Sequence, residues 1–189
     1  MPKQVYRTHV LHVWTRISAF LVPIFALFCA APAFAQNTTG TAKVDIATGI
    51  ILTKTADLHF GDIIPGTAGG TVTINAQTGV RTSAGGVISV GGTATRAEFS
   101  GIGTAGRVVT FSMTPSPNIT LNRIGGGATM TINQLRASIN GANPGPLAPN
   151  YTLPANGTAI IGVGGRLNVG ANQMEGQYTA SLTFSMDYQ

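Results

Sequence analysis

The sequence predicts a single all-β domain, and three observations carry that reading. Apolar and polar residues alternate with period two in almost every segment after residue 43, the mark of strands with one buried face. Turn residues interrupt the alternation roughly every 8 to 12 positions, the spacing of sandwiches and barrels. Glycine supplies 25 residues, all after position 35, while charged residues are only 9% of the chain. That composition excludes a coiled coil or helical bundle, which needs Ala, Glu, Lys and Leu in helical period. Aliphatic residues stay abundant, so charge-driven disorder is excluded as well.

Taken in order, residues 1–35 read as a cleaved export signal. Lys3, Arg7 and Arg16 precede the apolar run Ile17–Ala30, and Ala33-Phe34-Ala35 gives a small-x-small cleavage pattern before Gln36. The run is short for a bilayer span and contains Pro23. Bulky Phe28 before Cys29 speaks against a lipid anchor. No second apolar stretch follows, so the mature chain is expected to carry no membrane span and to reside in the periplasm, at the cell surface or in the medium. Its eight Lys/Arg stand against six acids, a net charge of +2 without a basic cluster, and nucleic acid is not an expected partner. The only Cys leaves with the signal, so sheet hydrogen bonds and the core alone must hold the domain.

Residues 36–43 open on the polar run Gln36–Thr41, an expected mobile segment, and the sandwich domain spans 44–189. Within it, Val44–Leu52 places Val44, Ile46, Ile50 and Leu52 on one face, with Thr48 between them. Burying four such side chains is worth on the order of 6–12 kcal/mol, and fixing ten residues costs a similar amount, ~1–2 kcal/mol each. The arm therefore needs a sheet edge to lie on, in its own domain or in a neighbour's. Further strands are expected at Leu58–Ile63, Thr71–Asn75, Val87–Val90, Thr95–Ser100, Val108–Met113 and Asn118–Asn122. Ala128–Ile139 follows with a phase slip near Gln134, then Ala159–Val163, Arg166–Val169 and Gln177–Tyr188. Between the strands, Gly69-Gly70, Gly85-Gly86, Gly91-Gly92, Gly125-Gly126-Gly127 and Gly164-Gly165 are expected to serve hairpin turns and bulges. Asn140–Pro154, with four prolines, reads as a long surface loop unable to pair in a central strand. The last segment is the most regular: Tyr178, Ala180, Leu182, Phe184, Met186 and Tyr188 alternate with Thr179, Ser181, Thr183, Ser185 and Asp187. It is expected to be one strand of eleven residues, about 36 Å long at ~3.3 Å each, that also presents an edge to another chain.

Chemistry-bearing motifs are few. Gly101-Ile-Gly103-Thr-Ala-Gly106 has the glycine spacing of a dinucleotide site, but a strand pattern follows it, with no acid between Glu98 and Glu175. It reads as a β-turn. His59 is the sole mature histidine, so neither a zinc site nor a catalytic triad has a supporting pattern, and His59 is expected to cap a turn or face solvent. The six mature acids form no recognisable carboxylate pair or calcium loop. Enzymatic activity, cofactor and metal are all expected to be absent.

Leu58-His-Phe60-Gly61-Asp-Ile63, Gly70-Thr-Val, Gly79-Val-Arg81 and Gly85-Gly86-Val87 resemble the exported bacterial domains catalogued as domain of unknown function 4402. Ala97-Glu-Phe99, Met130-Thr-Ile132, Val163-Gly-Gly-Arg-Leu167 and the ending Gly176-Gln-Tyr178…Tyr188 continue the resemblance across roughly 44 to 188. It implies an exported β-domain and no established activity. The last fourteen residues, from Gly176 to penultimate Tyr188, also resemble the C-terminal β-zipper of chaperone–usher pilins. That second resemblance implies an immunoglobulin-like, pilin-like antiparallel sandwich lacking its last strand, its groove filled by a periplasmic chaperone and then by the next subunit's arm. Under it, Gly176, Tyr178, Leu182, Phe184, Met186 and Tyr188 face the chaperone, and Val44, Ile46, Ile50 and Leu52 are donor residues. The expected function is a structural subunit of a surface filament or fimbria, with other copies, a chaperone and an outer-membrane usher as partners. The alternative is a self-complete secreted or surface binding module, adhesin-like and not polymerising. The arm meets Leu58 through only Thr53–Ala56, so an ordinary hairpin partner in its own domain is the other arrangement the residues allow. An outer-membrane barrel is disfavoured by Gln189 at the end and by a mature chain holding four Phe, three Tyr and no Trp.

Overall fold

Period-two segments become eleven strands: β1 Ile51–Ala56, β2 Asp62–Ile74, β3 Arg81–Gly91, β4 Ala97–Ile102, β5 Val108–Thr114, β6 Ile119–Arg123, β7 Thr129–Ile139, β8 Asn150–Thr152, β9 Thr158–Val169, β10 Tyr178–Thr179 and β11 Thr183–Tyr188. The computed structural model describes residues 43–189. The export signal and the polar segment expected before Lys43 lie outside them. Residues Val44–Gln189 form one unit, all-β and antiparallel throughout.

Strand β9 organises the larger, eight-stranded sheet. One of its edges pairs with β7; the other pairs first with β4 (Ile102↔Thr158 to Ala97↔Val163) and then with β2 (Ile74↔Gly165 to Gly70↔Val169). Strand β1 extends the sheet beyond β4, β3 hangs from β2, and β6 and β10 follow β7. The second sheet has three strands, β11-β5-β8. The sheets meet through Phe184 of β11, whose ring stacks on Phe99 of β4 at 4.7 Å and 16° and lies 5.7 Å from Phe111 of β5. Around these rings Val72, Ile74, Val109, Ile161, Val163, Leu167 and Met186 are buried, an antiparallel β-sandwich core with inward residues drawn from alternate positions.

Most expected strands and the turn before β5 are present. Arg107 N donates to Thr104 O at 3.2 Å, so the Gly101–Gly106 motif is a strand-to-strand turn. The phase slip in β7 is real: Gln134 has φ 51° and the register with β9 shifts between Asn133 and Arg136.

Several expectations need correction. Gly164-Gly165 is no turn but the middle of β9, where a Cβ on Gly164 would strike the Ile74 carbonyl and come within 2.7 Å of the Ala76 amide. Glycine there lets the end of β2 cross close to β9. Likewise Gly69-Gly70 and Gly85-Gly86 face one another across β2 and β3, where the register shifts between Pro65 and Gly70. A side chain on Gly86 would collide with the Ala68 carbonyl, so of the two uses expected of these glycines, turn or bulge, they serve the bulge. The reversal falls at Asn75, whose Oδ1 accepts the amides of Gln77 and Thr78 at 2.8 and 3.0 Å. Segment Leu58–Ile63 enters a strand only at Asp62. The proline-rich loop holds a short edge strand, β8, and contributes Leu153, which is buried.

Both chain ends differ most from expectation. Val44–Leu52 is not one strand: residues 43–50 carry no regular structure, and β1 begins at Ile51 and runs to Ala56 against β4. Nor is Gln177–Tyr188 continuous. Strand β10 pairs with β6 in the large sheet, β11 pairs with β5 in the small one, and Ala180–Leu182 cross between sheets outside either ladder.

Candidate functional site

That crossing opens an apolar trough. Three adjoining cavities of about 500, 440 and 350 Å³ lie over the part of the large sheet formed by Ile119, Leu121, Met130, Ile132 and Leu167. Segments Leu58–Ile63 and Gly176–Leu182 complete the lining. The first two cavities share Leu58, Phe60, Leu121 and Tyr178, and the third joins at Ile63, Met130 and Gly176. The cause is local. A small sheet of three strands cannot cover a large sheet of eight, and the chain spans the remainder with two segments paired only in places: at His59 (bridged to Thr95), at Asp62 and Ile63 where β2 begins, at Gln177 (whose carbonyl accepts the Ile124 amide) and in the short β10. Backbone groups of Ala180–Leu182 thus border the trough without ladder partners among the described residues, the kind of edge to which a strand adds.

The rim is polar and small in charge. Lys54 Nζ pairs with Asp57 Oδ1 at 2.6 Å. His59, exposed, accepts the Gly61 amide on Nδ1 at 3.0 Å and so caps a turn, as its sequence context suggested. Tyr178 Oη takes the Gln173 amide at 2.8 Å and donates to the Met174 carbonyl at 2.6 Å. On the far side of β4, Arg96 holds Glu98 at 2.7 Å and lowers the pKa of its carboxyl chiefly through that hydrogen bond. Among the described residues no three His, Cys, Asp or Glu side chains converge as a metal site, and no helix is long and apolar enough to cross a membrane.

The residues singled out from sequence are distributed unequally. Phe184 and Met186 are core, with Met186 Sδ filling the space that a Cβ on Gly101 would occupy. Leu182 and Tyr178 are half-buried and line the trough. Gly176 has φ +137° and lies against Arg123, whose Nε donates to the Glu175 carbonyl at 2.6 Å. Of the arm residues, Ile50 and Leu52 pack on their own domain's core, whereas Val44 and Ile46 are 82% and 90% exposed. The structure therefore separates the four: two dock in cis and two do not.

Tyr188, through Thr48 and Thr104, connects the chain ends. Tyr188 Oη accepts the Thr104 amide at 2.6 Å and donates to the Thr48 carbonyl at 2.7 Å. The Thr104 hydroxyl and amide lower the pKa of the Tyr188 phenol. Only the position of Thr48 in the arm's alternation marked it beforehand, and Thr104 was marked only by falling within the Gly101–Gly106 turn motif.

The fold defines an all-β sandwich domain with a trough on its larger sheet. The chain belongs to the family named domain of unknown function (DUF4402), which matches residues 50–188. No curated protein and no solved structure matches the chain.

Proposed function

We propose that this protein is an exported structural subunit of a bacterial surface filament, joined head to tail when the N-terminal arm of one copy enters the trough of the next. The observation behind it is the pairing, in one molecule, of an exposed apolar arm with an apolar trough bordered by unpaired backbone. An extended arm offers ladder hydrogen bonds to Ala180–Leu182 and alternate side chains to the apolar floor, the two components of strand addition. Burying Val44 and Ile46 is worth about 1.5–3 kcal/mol each. The contact joins two different surfaces, so it does not close on itself and a fibre grows. A signal peptide, a periplasmic chaperone shielding the trough and an outer-membrane usher belong to this reading, in keeping with the pilin-like C-terminus and an immunoglobulin-like class of sandwich.

One observation favours a second reading, the self-complete surface binding module. Strand β1 already occupies the edge of β4 in cis, through five register pairs from Ile51↔Ile102 to Ala56↔Glu98. Only the part of the arm before Ile51 remains to be donated.

Deletion of residues 36–50, with the export signal kept, separates the two. Electron microscopy of sheared surface material is expected to show no filaments from the shortened chain, and a synthetic peptide of residues 36–50 is expected to bind it saturably. Filaments that persist after the deletion would refute donation by this arm.

A further inference from the structure

Both backbone groups of Thr48 are held by side chains. Its amide donates to Thr104 Oγ1 at 2.8 Å, its carbonyl accepts from Tyr188 Oη at 2.7 Å, and its own hydroxyl lies 2.9 Å from Thr104 Oγ1. Tyr188 Oη is positioned in turn by the Thr104 amide at 2.6 Å. Approach of the phenol depends on Gly103, where a Cβ would lie 2.8 Å from the Tyr188 hydroxyl and 2.9 Å from Leu153 Cδ1. These contacts sit between the exposed pair Val44 and Ile46 and the docked Ile50. Thr48 is thus satisfied as a strand partner would satisfy it, without a strand.

We propose that Thr48, Thr104 and Tyr188 form a latch that parks the arm on its own subunit and must open before residues 44–50 are donated. The proposal rests on the filament reading. A donated strand presents the amides and carbonyls of its ladder residues to the acceptor edge, and Thr48 cannot offer its groups there while Thr104 and Tyr188 hold them. Latched and donated arms are therefore exclusive states, and the latch sets what fraction of subunits is ready to assemble. Each hydrogen bond of this kind shifts such an equilibrium by about two- to tenfold.

The test is amide hydrogen exchange over residues 44–50 of the monomeric chain, compared in wild type, Tyr188→Phe and Thr104→Val, with filament growth followed in parallel. Both variants keep side-chain shape, and the second leaves Tyr188 in place should the first perturb folding. Exchange of the Thr48 amide is expected to quicken about tenfold, with filaments growing faster by a comparable factor. Unchanged exchange in both folded variants overturns the latch. Faster exchange with an unchanged growth rate overturns its control of assembly. Faster exchange where no chain, wild type included, forms filaments sinks the filament reading while leaving the latch as a property of a monomeric module.

Discussion

Replacing Val44 and Ile46 together by Asp is expected to abolish filaments while leaving the monomer as stable as before. The two side chains are 82% and 90% exposed in the single chain, and surface changes of this kind alter stability by no more than about 0.5 kcal/mol. In the acceptor trough the same positions would meet Leu121, Met130 and Ile132. Two carboxylates would then lose water over an apolar floor where the lining cation, Lys54, already pairs with Asp57, a cost of several kcal/mol each. Against the few kcal/mol per side chain that burial contributes, that is enough to cancel donation. Electron microscopy and urea unfolding of the monomer check the two halves of the expectation. Filaments formed by the double variant would show that the arm's apolar side chains do not enter a neighbour. An equally large loss of monomer stability would show that they are buried in cis.

The largest expected effect on stability is at Phe184. Replacement by Ala is expected to cost about 3–5 kcal/mol in urea unfolding, with the slope of the transition unchanged. Three reasons converge on this residue. The ring is 8% exposed, it stacks on Phe99 at 4.7 Å, and it lies 5.7 Å from Phe111, so it joins the two sheets. With no disulfide to share the load, such a loss is a large part of the ~5–15 kcal/mol that stabilises an ordinary domain. Phe184→Leu refills most of the space and is expected to recover more than half of the deficit. A loss under 1 kcal/mol for Phe184→Ala would mean that the sheets are held together elsewhere.

Much of the fold was legible because alternation is a local property. Apolar residues recurring every second position in Val108–Met113 or Phe184–Tyr188 state which side chains go inward whatever the strand pairs with. The bend in β7 was legible for the same reason, since the phase of the alternation slips at Gln134. Glycine was ambiguous. A Gly-Gly pair marks a backbone freed from Cβ, and that freedom serves a turn, a bulge or a close crossing equally well. Which one it serves at Gly86 or Gly164 depends on Ala68, Ile74 and Ala76, residues distant along the chain.

The C-terminal segment makes the division plain. By itself the sequence determined an all-β domain with no second cysteine to bridge it, its inward residues, and an apolar arm in need of a sheet edge. Only the tertiary structure decided that Tyr178 and Phe184 belong to different sheets, that the arm docks from Ile50 onward and stays free at Val44 and Ile46, and that Thr48 meets Tyr188. Alternation specifies the face a side chain takes; the identity of the neighbouring strand is set by long-range hydrogen bonding, which leaves no periodic trace in the chain.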